Sequence, residues 1–157
     1  MRVFSGIDDF AQHEGKEIGV TGWRTITQED INAFADVTKD HQWIHVDTER
    51  AASGPFGTTL AHGYLTLSLV SGFMFSTFRI EGLSMGVNYG SNKVRYPAPV
   101  LVGSRVRGRV KLLSVDREEA WAQSTVQVTV EQEFNSVAKK PGCVAEVVSR
   151  LYEAPTF

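Results

Sequence analysis

The sequence predicts an α+β fold in which a curved antiparallel sheet wraps round one central apolar helix. Two observations support this prediction. The stretch from Ala51 to Phe78 contains no Asp, Glu, Lys or Arg, and the strand-like segments that follow it have no helix between them. Leu60 to Phe78 is long enough to span a membrane, but His62 and several small polar residues interrupt it. We therefore expect a helix buried in the core.

Four segments of the C-terminal half are predicted strands, because polar and apolar residues alternate along them or turn residues bound them. They cover residues 88–96, 105–112, 126–131 and 143–152, with turn signals at 116–119 and 139–142. Without intervening helices, these strands favour an antiparallel meander over βαβ units. A meander covered on one face by an apolar helix is the layout of a hot dog fold.

A second, amphipathic helix precedes the apolar one. The sequence from Thr27 to Asp30 resembles a capping box, which marks the start of a helix. A short strand is expected over residues 17–24, and residues 1–16 form a segment of unknown role. The length of 157 residues suits a single domain over 1–157. The apolar positions that share one face of this helix are Ile31, Phe34, Ala35 and Thr38.

The composition argues against several classes of protein. The net charge is −2, so there is no broad basic field to attract nucleic acid. Cys143 is the single cysteine, which leaves no intrachain disulfide and no zinc site of several cysteines. Asp8 and Asp9 stand where a signal peptide needs an apolar run. We expect a cytoplasmic protein that needs no cofactor.

Asp40 and His45 are the first candidates for chemistry. They stand five residues apart, just beyond the amphipathic helix. A carboxylate and an imidazole on one short loop can converge on a single water, and together they can pass protons in both directions. Taken alone, the pair is also compatible with a turn aspartate and a solvated histidine.

Ala61-His62-Gly63 marks the start of the apolar helix. Backbone N–H groups in a first helical turn lack partners within the helix and lie at its positive end. A carbonyl placed there gains a hydrogen bond as negative charge develops on its oxygen. Gly63 has no side chain to block this approach, although a glycine also allows close packing with no such role.

Four segments occur together in a characteristic order: Asp40-x-x-Trp43-Ile44-His45, then Ala61-His62-Gly63, then Ser71-Gly72, then residues 92–100, which include Arg95-Tyr96-Pro97. This combination resembles the MaoC-like dehydratase family, which includes the (R)-specific enoyl-CoA hydratases. The matches cover most of the chain. Trp43 replaces the proline that is usual in the family, so we expect packing of the indole to stiffen the loop.

The resemblance implies that Asp40 and His45 are the catalytic pair and that the N–H of Gly63 faces the oxygen of an acyl thioester. It also implies supporting roles for Ser71, as a residue that steadies the catalytic loop, and for His62. The implied reaction adds water to a trans-2-enoyl thioester to give an (R)-3-hydroxyacyl thioester. The thioester carrier is coenzyme A or an acyl carrier protein.

Basic residues on the strands are candidates for binding the phosphates of coenzyme A, because Arg and Lys bind phosphate. Lys93 and Arg95 are the preferred pair, although such rows are often the solvated face of a strand. We expect no metal site. His41 and His45 would suit a metal only on a helix, and the residues around His45 are predicted to be extended. Three further candidates for phosphate contacts are Arg105, Arg107 and Arg109.

Two other functions remain open. A hot dog thioesterase shares the substrate, but such enzymes usually carry a carboxylate on the central helix, and residues 60–78 contain none. A non-catalytic acyl-thioester-binding subunit is disfavoured because Asp40, His45 and Gly63 occur together. A hot dog domain leaves one sheet edge exposed, so we expect a homodimer that pairs this edge.

Overall fold

A computed structural model of the chain describes residues 1–119 and 121–154. Its elements, in chain order, are β1 (Arg2–Phe4), α1 (Ile7–Ala11), β2 (Glu17–Val20), β3 (Arg24–Thr25), α2 (Gln28–Thr38), α3 (Trp43–Val46), α4 (Thr48–Ala52), α5 (Gly63–Thr77), β4 (Phe78–Ile80), β5 (Leu83–Arg95), β6 (Arg105–Arg117), β7 (Ala122–Phe134) and β8 (Val137–Glu153).

The main sheet has six strands and is antiparallel throughout. Its order is β2-β6-β7-β8-β5, with β3 pairing to β6 beside β2. The strands β6, β7 and β8 form the predicted meander, and β5 lies at the far edge because it pairs with β8. The short strands β1 and β4 form a separate parallel pair. The predicted hot dog architecture is confirmed.

The apolar helix α5 packs against the inner face of this sheet through one side only. Its buried residues recur at helical spacing and include Leu65, Val70 and Phe73. The opposite side is open, because Tyr64 is 72% exposed and Phe75 is 78% exposed. The expectation of a helix buried all round is therefore wrong for the single chain. Within the described ranges, no helix is long and apolar enough to cross a membrane.

The closest approach between α5 and the sheet occurs at Gly108. A Cβ atom at this position would lie 2.5 Å from Cβ of Phe73. Both atoms are fixed to backbone, so neither side can yield without moving the helix. The glycine in this strand is therefore required by the contact with α5.

Replacing Gly108 with alanine should destabilise the fold through this clash. We expect a loss of about 1–3 kcal/mol, the usual effect of overpacking a core. For a chain of this size, each 1 kcal/mol lowers Tm by about 2–4 °C. Thermal unfolding followed by circular dichroism measures the shift. Gly22→Ala is the matched control, because its Cβ would meet no atom within 4 Å; equal shifts in the two variants would contradict the prediction.

Two sequence-based expectations about local structure are wrong. Residues 139–142 do not form the turn between β7 and β8, which lies at Asn135 and Ser136, both with positive φ. The segment Lys139 to Gly142 is instead an irregular part of β8, where Val130 pairs with Cys143 but Gln132 pairs with Lys139. Pro141 and Gly142 therefore mark a β-bulge, a position where proline and glycine occur as they do in turns.

The N-terminal segment, whose role the sequence left unknown, contributes to the core. Phe4, Ile7 and Phe10 are almost fully buried. The rings of Phe4 and Phe10 contact each other edge to face, and Phe10 stacks on Phe78 at the end of α5. These residues close the end of the molecule that lies away from the candidate site.

Candidate active site

Asp40 lies on the connection between α2 and α3, and His45 follows within α3. Helix α2 ends at Thr38, and Lys39 takes a left-handed conformation with φ of 66° that turns the chain toward Asp40. Asp40 is exposed, whereas His45 is only 6% exposed. His45 lies within the short helix α3, so the expectation that this segment is extended is wrong.

The ring of His45 is fixed by the backbone. Its Nδ1 lies 2.7 Å from the carbonyl oxygen of Leu60. Because a carbonyl only accepts hydrogen bonds, Nδ1 carries the proton and Nε2 keeps a lone pair. Burial lowers the pKa of His45, and the neighbouring His62 acts in the same direction, whereas the bond to Leu60 and the nearby Asp40 oppose the shift. The lowered pKa favours the neutral ring, whose free nitrogen can accept a proton.

His62 connects the two halves of the site. It is 2% exposed, and its Nε2 donates to the backbone carbonyl of Asp40 over 2.9 Å. Its ring stacks on the ring of His45, with centroids 3.7 Å apart. The Nδ1 atom of His62 is buried and has no hydrogen-bond partner among the described residues. His62 therefore holds Asp40 beside His45 and leaves one free acceptor in the site.

The three side chains converge. One donor or acceptor atom from each of Asp40, His45 and His62 lies within 4.8 Å of those of the other two. This spacing suits a shared water, which can hydrogen-bond to a carboxylate and to an imidazole lone pair at once. The structure thus brings together the two residues that the sequence proposed as an acid–base pair and adds a third.

The same cluster offers the ligand types that a zinc ion prefers. Its geometry suits water better. The rings of His45 and His62 are stacked with planes only 25° apart, and a metal about 2.0–2.1 Å from a nitrogen of each ring cannot lie near both planes. His41, the other histidine considered as a ligand, bonds instead to Asp36 on the surface.

Gly63 begins α5 directly beside this cluster. It follows the cap residue His62, and its N–H belongs to the first turn, where the helix itself supplies no acceptor. The N–H lies at the positive end of a helix of 15 residues. The ring of Tyr96 lies 3.3 Å from where a Cβ of Gly63 would be. A side chain at position 63 would therefore press against the ring of Tyr96.

Several supporting contacts could not be anticipated from the sequence. Gln28 on α2 donates to the backbone carbonyl of His45 over 2.7 Å and accepts from the hydroxyl of Thr59. Trp43 packs against Gly54 and lies under the guanidinium of Arg50, 4.4 Å from the ring centroid. The indole thus occupies a packed position, as expected where the family usually has a proline.

Ser71 is not brought to this cluster. It lies eight residues beyond Gly63, about 12 Å along the helix axis, and it makes no hydrogen bond to the loop of Asp40 and His45 within the described residues. Instead it lines a cavity of about 360 Å³ between α5 and the sheet, together with Met74, Phe78 and Val147. A role for Ser71 in steadying the loop therefore finds no contact within one chain.

The basic residues of the strands divide into two groups. Arg105, Arg107 and Arg109 form ion pairs across the outer face of the sheet, and Glu131 alone bonds to two of them. They are structural rather than available for phosphate. Lys93 and Arg95 are exposed and have no carboxylate partner among the described residues, so they stay candidates.

Comparison with known proteins agrees with the family resemblance of the sequence. The model of the MaoC-like domain family matches residues 9–135. The chain is 51% identical to 3-hydroxyacyl-thioester dehydratase Z of Mycobacterium tuberculosis, covering 96% of this chain and 98% of that protein. It is 32% identical to 3-hydroxybutyryl-CoA dehydratase of Methylorubrum extorquens, covering 76% and 75%.

The fold has solved counterparts. The unliganded (R)-hydratase of Pseudomonas aeruginosa matches with a TM-score of 0.68 and 20% identity, covering 90% of this chain and 83% of that one. This likeness concerns the fold. The family model, which matches most of the chain, and the relative that is 51% identical show that the chain belongs to the MaoC-like domain family. Its class of reaction is that of a hydro-lyase, a hydratase or dehydratase.

Proposed function

We propose that the chain is an (R)-specific enoyl-CoA hydratase, which adds water to trans-2-enoyl-CoA to give (R)-3-hydroxyacyl-CoA and catalyses the reverse dehydration. The observation that carries the proposal is the convergence of the Asp40 and His45 side chains beside the first turn of α5, which begins at Gly63. The names of the relatives support a 3-hydroxyacyl thioester as substrate.

The mechanism follows from these positions. Asp40 and His45 hold one water between them. Its oxygen bonds to C3 of the enoyl thioester while one of its protons passes to Nε2 of His45. The π electron pair moves toward the thioester oxygen, which accepts a hydrogen bond from Gly63. The proton is then delivered to C2 on the same face, so that the elements of one water are added and no charge remains.

The acyl chain has a matching space along α5. The cavity beside Ser71 begins about 12 Å from Gly63 and is lined largely by apolar residues such as Met74, Phe78 and Leu83. An acyl group whose thioester oxygen binds at Gly63 can extend along α5 toward this cavity. Ser71 would then contact the acyl group.

The open face of α5 and the edge strand β5 support a homodimer. Beside Tyr64 and Phe75 of α5, strand β5 exposes Met85, Val87 and Tyr89, and β5 pairs only with β8 among the described residues. A second copy that pairs its own β5 here covers both surfaces. The acyl groove then includes residues of the neighbouring subunit.

We expect sedimentation equilibrium at micromolar concentration to give twice the mass of the chain. Val87→Asp, in the middle of the exposed edge, should shift the protein toward monomer because it places a charge in the interface. Val37→Asp is the control, since Val37 on α2 is 82% exposed and away from this edge. A monomeric wild-type chain, or equal effects of the two variants, would contradict the dimer.

The function is tested with crotonyl-CoA. Loss of the enoyl absorbance and formation of (R)-3-hydroxybutyryl-CoA are expected, with no release of free thiol. Thiol release would show a thioesterase, and tight binding without turnover would show a binding subunit. The (S) product would contradict the proposed specificity. A series of enoyl-CoAs of increasing length then measures how much of the cavity is used.

The pH dependence of hydration follows from His45. Only the neutral ring can accept the proton of water, and burial lowers the pKa of His45 below its ordinary 6.5. We therefore expect kcat/KM to be constant between pH 7 and 8 and to fall in acid, approaching a loss of about tenfold per pH unit. Initial rates measured from acid pH to pH 8 give this dependence of kcat/KM on pH. A rise between pH 7 and 8 would contradict the assignment of His45 as the base.

A further inference from the structure

A second groove, of about 460 Å³, lies near the start of α5. It is at the end of the sheet where the hairpin joins β7 to β8. The loop after α4 forms one wall, and the hairpin carries the other. The residues used below are Phe56, Pro99, Ser104, Gln132, Lys139 and Lys140, all of which line the groove.

The walls of the groove are held together by a buried amide. Gln132 is 3% exposed, and its Nε2 donates to the backbone carbonyl of Pro99 over 3.3 Å and to that of Lys140 over 2.9 Å. A Cβ at Gly142 would clash with the side chain of Val100, so the bulge of β8 lies directly against the loop before β6. The position of the two lysines relative to the loop is therefore fixed.

The chemistry of the lining suits a nucleotide with its phosphates. Lys139 and Lys140 are exposed and form no ion pair within the described residues. The hydroxyl of Ser104 is fully buried and has no hydrogen-bond partner there, an arrangement that is rare unless a further group satisfies it. Phe56 is 44% exposed and offers a flat apolar face. Cations, a free hydroxyl and an aromatic ring together match phosphate and base.

The groove is connected to the active site by one stretch of chain. In this stretch, the ring of Tyr96 lies against Gly63. The N–H of Ala98 donates to the carbonyl of Pro141 over 3.2 Å. The carbonyl of Val100 accepts from the N–H of Ala61 over 2.8 Å. An extended segment of four residues spans about 13 Å. The flexible arm of a thioester bound at Gly63 can follow this segment to the lysines.

We propose that this groove binds the adenosine phosphate end of a coenzyme A thioester, with Lys139 and Lys140 on the phosphates and Phe56 under the base. The inference rests on the proposed function and identifies the carrier as coenzyme A. A carrier protein would present the same arm without the adenosine, so it leaves Phe56 without a ligand.

The test compares two thioesters in the full-length protein. For the double variant Lys139→Glu/Lys140→Glu, we expect KM for crotonyl-CoA to rise about tenfold or more, equivalent to about 1.4 kcal/mol of binding, with kcat unchanged. KM for crotonyl-N-acetylcysteamine, which lacks the nucleotide, should stay the same. Lys111→Glu is the control, because Lys111 is an exposed lysine on β6. Phe56→Ala should also raise KM for crotonyl-CoA alone.

Each contrary outcome is distinct. If the lysine variant changes KM for both thioesters equally, or for neither, the groove does not bind the nucleotide. If Lys93→Glu/Arg95→Glu produces the rise specific to coenzyme A and the groove variant does not, the phosphates lie on β5 and the proposal is wrong. If Phe56→Ala has no effect, the adenosine assignment fails. Failure of the proposed function looks different, because the wild-type chain would then hydrate neither thioester.

Discussion

His45→Gln and Asp40→Asn are each expected to lower kcat for hydration of crotonyl-CoA by about 10²–10⁴-fold. Glutamine can still donate to the carbonyl of Leu60, but it offers no imidazole lone pair to accept the proton of water. Asparagine keeps the shape of Asp40 and removes its charge. Because both residues act on one water, kcat of the double variant should be little lower than kcat of the less active single variant.

Steady-state rates at saturating substrate measure this loss, and circular dichroism checks that each variant is folded. His41→Gln is the matched control, since His41 lies four residues before His45 but bonds to Asp36 on the surface. It should keep the wild-type rate. Near-normal kcat in both His45→Gln and Asp40→Asn would mean that the chemistry occurs elsewhere.

Gly63→Pro is the second large expected effect, a loss of about 10²–10³-fold in kcat, which is the usual result of removing one oxyanion donor. Proline is well tolerated at the first position of a helix. The preceding residue, His62, has ψ of 142°, which is the conformation that a following proline requires. The substitution should therefore remove the N–H while the start of α5 stays in place.

Gly63→Ala is the control that distinguishes loss of the N–H donor from steric crowding by the new side chain. Alanine keeps the N–H and adds a Cβ 3.3 Å from the ring of Tyr96, the same close contact that proline would make. The ratio of kcat between the alanine and proline variants therefore removes the effect of the Cβ and reports the replacement of the N–H by the ring carbon of proline. Equal rates in the two variants would show that the N–H does not stabilise the thioester oxygen.

The parts of the structure that the sequence predicted are those with local signals. The capping box at Thr27 and Asp30 is present, with the side chain of each bonded to the backbone of the other. The apolar helix and the meander follow from composition and alternation over adjacent residues. The sequence also predicted that Asp40 and His45 lie close together, as they do; that they form one catalytic site with Gly63 stays a prediction.

The parts that the sequence did not predict depend on distant contacts. The bond from His45 to Leu60 spans 15 residues, that from His62 to Asp40 spans 22, and that from Thr59 to Gln28 spans 31. No local sequence pattern shows which of its two ring nitrogens a histidine uses for such a bond. The hairpin turn was misplaced for a related reason, since Pro141 and Gly142 give the same signal at a bulge as at a turn.

Both imidazoles of the site are tied to main-chain carbonyls, His45 to Leu60 and His62 to Asp40. Neither ring can exchange its tautomer without breaking that tie. In the proposed cycle, the proton taken from water ends on carbon, so both rings finish a turnover as they began it. The enzyme then needs no separate step to restore its protonation state between turnovers, in either direction of the reaction.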